Sequence, residues 1–157
     1  LERLCDFVDA LRSSEYAQAQ NSLRAVIGSG GAVGYCCEGV GFVRYAEQLG
    51  YHFNINAVGR MIAYGKPIAD DDDHESLQFQ STAVAPPMFW HDMGVRNVDL
   101  HNGFALELPA GCALFDEPGR EFVEYAALND AGLTFSQIAD LIEWQFLSPV
   151  EVTDVAD

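Results

Sequence analysis

The stretch from Glu121 to Phe146, EFVEYAALNDAGLTFSQIADLIEWQF, decides how the rest of the chain must fold. It reads as helix, tight corner, helix. Gly132 stands where a first helix needs a left-handed residue to stop. Thr134 then offers a hydroxyl as N-cap, and Gln137, three residues on, completes a capping box. Beyond it Phe135, Ile138, Ala139, Ile142 and Phe146 recur at helical spacing and form one apolar stripe. Asp140 and Glu143 fall on the opposite, solvated side, and Trp144 sits off the stripe.

Working outward, residues 1–13 predict an amphipathic helix that buries Leu1, Leu4, Phe7 or Val8, and Leu11. Glu15 to Ser22 is polar and reads as a loop, and Leu23 to Ile27 as a short strand. Gly28 to Gly34, GSGGAVG, reads as flexible. It is no phosphate-binding loop, because Tyr35 and Cys36 stand where a lysine and a hydroxyl would be needed. Cys36 to Leu49 returns to helix, with Cys36, Cys37, Val40, Val43, Ala46 and Leu49 on a buried face broken by Gly39 and Gly41. Gly50 closes it, and Tyr51 to Val58 alternates as a strand does. Pro86-Pro87 opens a short helix, MFWHDMG, and FALEL within Leu100 to Leu108 is a further strand. With no internal repeat and no domain linker beyond the acidic loop DDDDHE, residues 1–147 read as one domain and residues 148–157 as an acidic, frayed tail. The expected architecture is α+β: a single compact domain whose helical frame, with its carboxyl-terminal helix-corner-helix, packs around a short sheet.

At 157 residues and 49% hydrophobic, the chain can bury a substantial core. Its charge is lopsided: 24 acidic residues face 8 basic ones, for a formal net charge of −16. Nucleic acid and anionic lipid are bound chiefly through cations, so such a surface points away from both and towards a protein partner with a basic surface. No run approaches the roughly 20 apolar residues that span a bilayer. The opening LERLCDFVDALRSS lacks the apolar block of a signal peptide, although the chain begins at Leu1 rather than Met. Cys36 and Cys37 are adjacent, a pairing that ring strain disfavours, so a reduced cytoplasmic setting is expected.

Three segments resemble a family of small uncharacterised proteins of bacteriophages and of actinobacterial and other bacterial genomes. Ala10 to Arg24, ALRSSEYAQAQNSLR, follows the family phrase "ALRSGEYxQGxGxLR". Tyr35 to Val40 matches the start of "YCCLGVLCD", and Leu128 to Glu143, LNDAGLTFSQIADLIE, fits "LNDxGxSFxxIADxIE". Pro86 to Gly94 echoes a "LPPEVxxWAGL" helix. The chain departs from the pattern in a longer middle, Tyr51 to Ala85, and at Gly41-Phe42. The resemblance implies a compact domain carried on mobile elements, and no reaction.

Several chemistries compete with a plain packing role. The corner AALNDAGLTFSQIADLIE is similar to a DNA-reading helix-turn-helix, but its second helix offers Ser136, Gln137, Asp140 and Glu143, and no basic residue follows Arg120. Cys37-Glu38-Gly39-Val40 with Val43, Arg44 and Tyr45 resembles the "DCSGFVxY" helix of NlpC/P60 peptidases, and His101-Asn102-Gly103-Phe104 resembles their "HxGI" strand. That resemblance implies a thiol hydrolase using Cys37 and His101, with the thiolate favoured at a helix N-terminus. Glu38 beside the sulfur opposes it, and Cys36 replaces the usual aspartate. Cys36, Cys37, Cys112 and the histidines His52, His74, His91 and His101 lack metal-binding spacing, and no cofactor is expected. The run DDDDHE lacks the spacing and glycine of a calcium loop and reads as a solvated loop. The favoured reading is a non-enzymatic acidic interaction protein. Its expected contacts are Trp90, Trp144, Asp70, Asp71, Asp72, Asp73 and Glu75.

Overall fold

A computed structural model describes residues 1–66, 79–95, 98–99, 103–107 and 122–147; for 98–99, 103–107 and 122–125 it describes the backbone alone. The acidic run Asp70–Glu75, His101, Cys112 and the tail 148–157 lie outside the described residues.

The chain opens with helix α1 (Glu2–Arg12), whose Leu4, Phe7, Val8, Ala10 and Leu11 are buried. Leu1, expected on that face, precedes the helix and is exposed. The segment read as a loop contains a two-residue strand, β1 (Ala17–Gln18), which pairs in parallel with β3. Strands β2 (Arg24–Ile27) and β3 (Ala32–Tyr35) form an antiparallel hairpin, with Val26 opposite Val33. The glycine-rich stretch is therefore the turn and return strand of a hairpin, not a flexible loop. Its AVGY half is fixed by pairing with RAVI across a four-residue turn, a fact that composition alone does not carry.

Helix α2 (Cys37–Tyr45) starts under this sheet. Gly39 explains how close it comes: a Cβ there would lie 1.8 Å from the Leu23 carbonyl oxygen. A methyl group at this position has no room without moving backbone. Gly41 similarly lets the Trp90 ring approach, since its Cβ would meet Cη2 at 2.9 Å. Strands β4 (Phe53–Ile55), β5 (Met61–Tyr64) and β6 (Gln80–Ser81) make a second antiparallel sheet. Helix α3 (Pro87–Asp92) follows, with proline in its first turn as expected. A third sheet holds β7 (Val98–Asp99), β8 (Gly103–Glu107) and β9 (Phe122–Glu124).

Helix α4 (Tyr125–Asp130) begins later than the sequence suggests, because Phe122–Glu124 pairs with β8. From there the corner forms as its residues dictate. Gly132 takes φ +99°, and the Thr134–Gln137 capping box closes both ways. Helix α5 (Phe135–Ile142) buries Phe135, Ile138, Ala139 and Ile142 and packs against α1. It widens into a π-helical turn at Glu143–Leu147. Phe146 and Leu147 pack against the core there, while Trp144 is 48% exposed.

The core joins α1, α2, α3 and α5 around a run of rings. Phe42 and Phe89 meet at 4.9 Å between centroids, Phe89 and Trp90 at 5.0 Å, and Phe7 and Trp90 at 5.6 Å. Each such side chain contributes roughly 1.5–3 kcal/mol by leaving water. The domain is thus α+β, with its strands divided among three small sheets rather than gathered into one. No described helix is long and apolar enough to cross a membrane.

Candidate interaction surface

Three of the phrases picked out in the sequence converge on one buried side chain, Asn129. It follows Leu128 at the end of α4 and is fully buried. Its Oδ1 accepts from Gln18 Nε2 at 2.9 Å and from the Cys37 backbone N–H at 3.3 Å. Its Nδ2 donates to the Ala19 carbonyl at 2.8 Å and to Asp130 Oδ1 at 3.3 Å. Gln18 also donates to the Leu133 carbonyl at 2.6 Å, and the Asn21 N–H donates to Asp130 at 2.8 Å. A buried amide with donors and acceptors both engaged is a rigid joint, because no water can replace a lost partner. The segments EYAQAQN, YCC and LND are therefore bound to each other, and what unites them is folding. No local pattern reveals this: Gln18, Ala19 and Cys37, the partners that tie Asn129 to the other two segments, lie 111, 110 and 92 residues away in sequence.

The cysteine pair faces the same interior. Cys36 is the N-cap of α2, and its sulfur accepts from the Gly39 N–H at 3.4 Å. Burial, and then the Glu38 carboxylate, push its thiol up to about 12. Cys37 is fully buried. Glu38 is also buried, and its Oε2 accepts from the Ala85 N–H at 2.6 Å, tying the segment before α3 to α2. A nucleophile needs access and a stabilised thiolate; Cys36 has neither, and Cys37 has no access. His101, the other residue of that reading, lies outside the described residues.

Among the described residues no group of three or more His, Cys, Asp or Glu side chains could hold a metal ion. His52 is exposed and stacks on Tyr64 at 4.8 Å, and His91 is exposed beside Asp92.

The carboxylates on the outside are organised differently. Asp140 and Glu143, on the solvated side of the last helix, converge on Arg12 from α1 at 2.5 and 2.6 Å. The face that a DNA-reading helix would present is thereby engaged with the chain's own first helix. Arg44 grips Asp6 through Nε at 2.8 Å and Nη2 at 2.9 Å, and Tyr45 donates to the same carboxylate. The Arg44 hydrogen bonds hold Asp6 below the usual carboxylate range. Lys66, the chain's lone lysine, lies 3.6 Å from Asp92, which also accepts from Tyr51 at 2.9 Å. Arg12, Arg44 and Lys66 are thus each held by the chain's own carboxylates.

Of the expected contact residues, the two tryptophans separate. Trp90 is fully buried between Phe7, Phe89 and Gly41, which removes it from any contact surface. Its helix is short and apolar on nearly every side (Met88, Phe89 and Met93 stand close to it in sequence), so the pattern alone does not show which side turns inward. Trp144 is half-exposed beside Glu143 on the π-helical turn. Asp70, Asp71, Asp72, Asp73 and Glu75 lie outside the described residues.

A family described as Domain of unknown function (DUF8296) matches residues 5–146, and the chain belongs to it. The match spans α1 to the π-helical turn, and so includes all three segments that meet at Asn129. No curated protein and no solved structure matches the chain.

Proposed function

We propose that this chain is a non-enzymatic accessory protein of phage or mobile-element origin that acts on a protein partner through its acidic surface. The charge balance carries the reading: 24 acids against 8 basic residues, with Arg12, Arg44 and Lys66 each held by an internal carboxylate. A surface of this kind attracts a basic partner and steers its approach. Trp144, exposed among carboxylates, supplies an aromatic anchor, and Asp70, Asp71, Asp72, Asp73 and Glu75 supply a dense run of negative charge. The phage or mobile-element origin rests on the motif resemblance. A reducing, cytoplasmic setting suits the three described cysteines, all of which are free thiols.

The test is capture from a host lysate on the immobilised chain at ~50 mM salt, followed by stepped elution to ~500 mM, where charge attraction is screened. A basic protein that elutes as salt rises supports the reading. Retention should fall when Asp70 to Asp73 and Glu75 are neutralised to amides and Trp144 is replaced by alanine. A partner held equally at all salt concentrations, or captured equally by the neutralised variant, contradicts it.

A further inference from the structure

The acids are not spread evenly along the chain. There is no Asp or Glu from Tyr16 to Cys37, nor from Gln48 to Ala69, and those two segments supply β1 to β5. Their described charges are Arg24, Arg60 and Lys66. Exposed aliphatic side chains gather in the same segments: Val26 is 47% exposed, Ile55 45% and Val58 69%.

The two hairpins bring these residues together. The β4–β5 turn lies against the face of β2, where a Cβ on Gly59 would come within 2.6 Å of the Val26 methyl carbon. Arg24, on the same face of β2 as Val26, donates from Nη1 to the Gly59 carbonyl. Val58 is the next residue back from Gly59, and Ile55 pairs with Met61 at the base of the same turn. The result is an aliphatic patch with arginines beside it and no carboxylate from either hairpin.

We infer that this patch is where two copies of the chain meet, hairpin tip to hairpin tip, in a symmetric dimer. Two bodies of charge −16 repel, and the repulsion is least where neither presents a carboxylate. The described large aliphatics that are most exposed without belonging to the chain's first residue lie at that place, where contact removes them from water. A two-fold arrangement sets the same residues against each other, so one patch is enough to form the interface.

The inference is independent of the partner proposed above, and salt separates the two. Screening loosens attraction to a basic partner, but it relieves repulsion between two acidic copies, so dimerisation strengthens as salt rises. Sedimentation velocity of the full chain, across concentration and from ~50 to ~500 mM salt, is the direct test. The expected result is a monomer–dimer equilibrium that shifts towards dimer at high salt. Val58→Asp or Ile55→Asp should raise the dissociation constant by at least about tenfold, since symmetry counts each new charge twice. Ser136→Asp, the same charge added on exposed helix α5, should leave it near the wild-type value. Matched thermal unfolding of the variants guards against a folding defect. A chain that stays monomeric throughout, or a dimer that Val58→Asp and Ile55→Asp do not weaken, overturns the inference.

Discussion

At Asn129 and at Arg12, side-chain hydrogen bonds join segments more than a hundred residues apart, and in both places one group holds several partners. The two junctions are otherwise opposites. Asn129 is neutral and sealed in the core, whereas Arg12 is charged and open to water, its carboxylate partners half-exposed or more. Ranking the bonds by length would favour Arg12. Burial reverses the order, because water replaces a lost partner at the surface and cannot do so inside. Among the described residues the chain thus fixes its fold through the buried Asn129 amide, the buried thiols and the buried Glu38, and keeps most of its ionic groups outside.

Removing each hub in turn separates the two junctions. Asn129→Ala leaves the Cys37 N–H and the Ala19 carbonyl without their side-chain partner. It should cost about 2–4 kcal/mol in urea unfolding, at ~1–3 kcal/mol for each buried group left unsatisfied. A loss below that of Arg12→Ala would invert the argument.

A second effect, of intermediate size, comes from the thiol next to the hub. Cys36 ionises near 9.0 in the unfolded chain and about 12 in the fold, so between those values the unfolded state carries fewer protons. Stability from this group is whole below pH 9 and falls as pH rises through that window, by roughly 1–2 kcal/mol between pH 8 and pH 10. Cys36→Ser keeps a capping atom without the titration, and its unfolding free energy should fall less steeply over the same range. Parallel curves for the two proteins would remove the buried-thiol account.

The smallest effect belongs to the surface junction. Arg12→Ala should cost no more than about 1 kcal/mol, and less at high salt, as exposed ion pairs do. A salt-independent loss of several kcal/mol would show that the fork behaves as a buried bridge.

The split between local and distant causes also explains what the sequence disclosed. Gly132, Thr134 and Gln137 act on neighbours within four residues, so the corner was legible down to its capping box. The α5 stripe was legible for the same reason. The strand at Phe122–Glu124 was not, since it exists by pairing with Gly103–Glu107 across a long stretch of chain. Nor was the parallel pairing of Ala17–Gln18 with Gly34–Tyr35. Asn129 stands out in the sequence only as one letter of the LND phrase, and Trp90 does not reach the surface on which the sequence reading places it. Gly41 was the missed clue there: a glycine inside an otherwise apolar helix face marks the close approach of something large, here the Trp90 ring.

The claim at the centre of this account is that the reactive-looking cysteines belong to the interior and that the protein meets other molecules through its charged exterior. Residue-resolved alkylation of the native chain by iodoacetamide, read by mass spectrometry from neutral to alkaline pH, tests that claim most directly. Cys5, which is exposed, should label readily, while Cys36 and Cys37 should label only as fast as the domain opens. Fast labelling of Cys37 at neutral pH, titrating below an ordinary thiol, would contradict the account and restore a thiol chemistry to this fold.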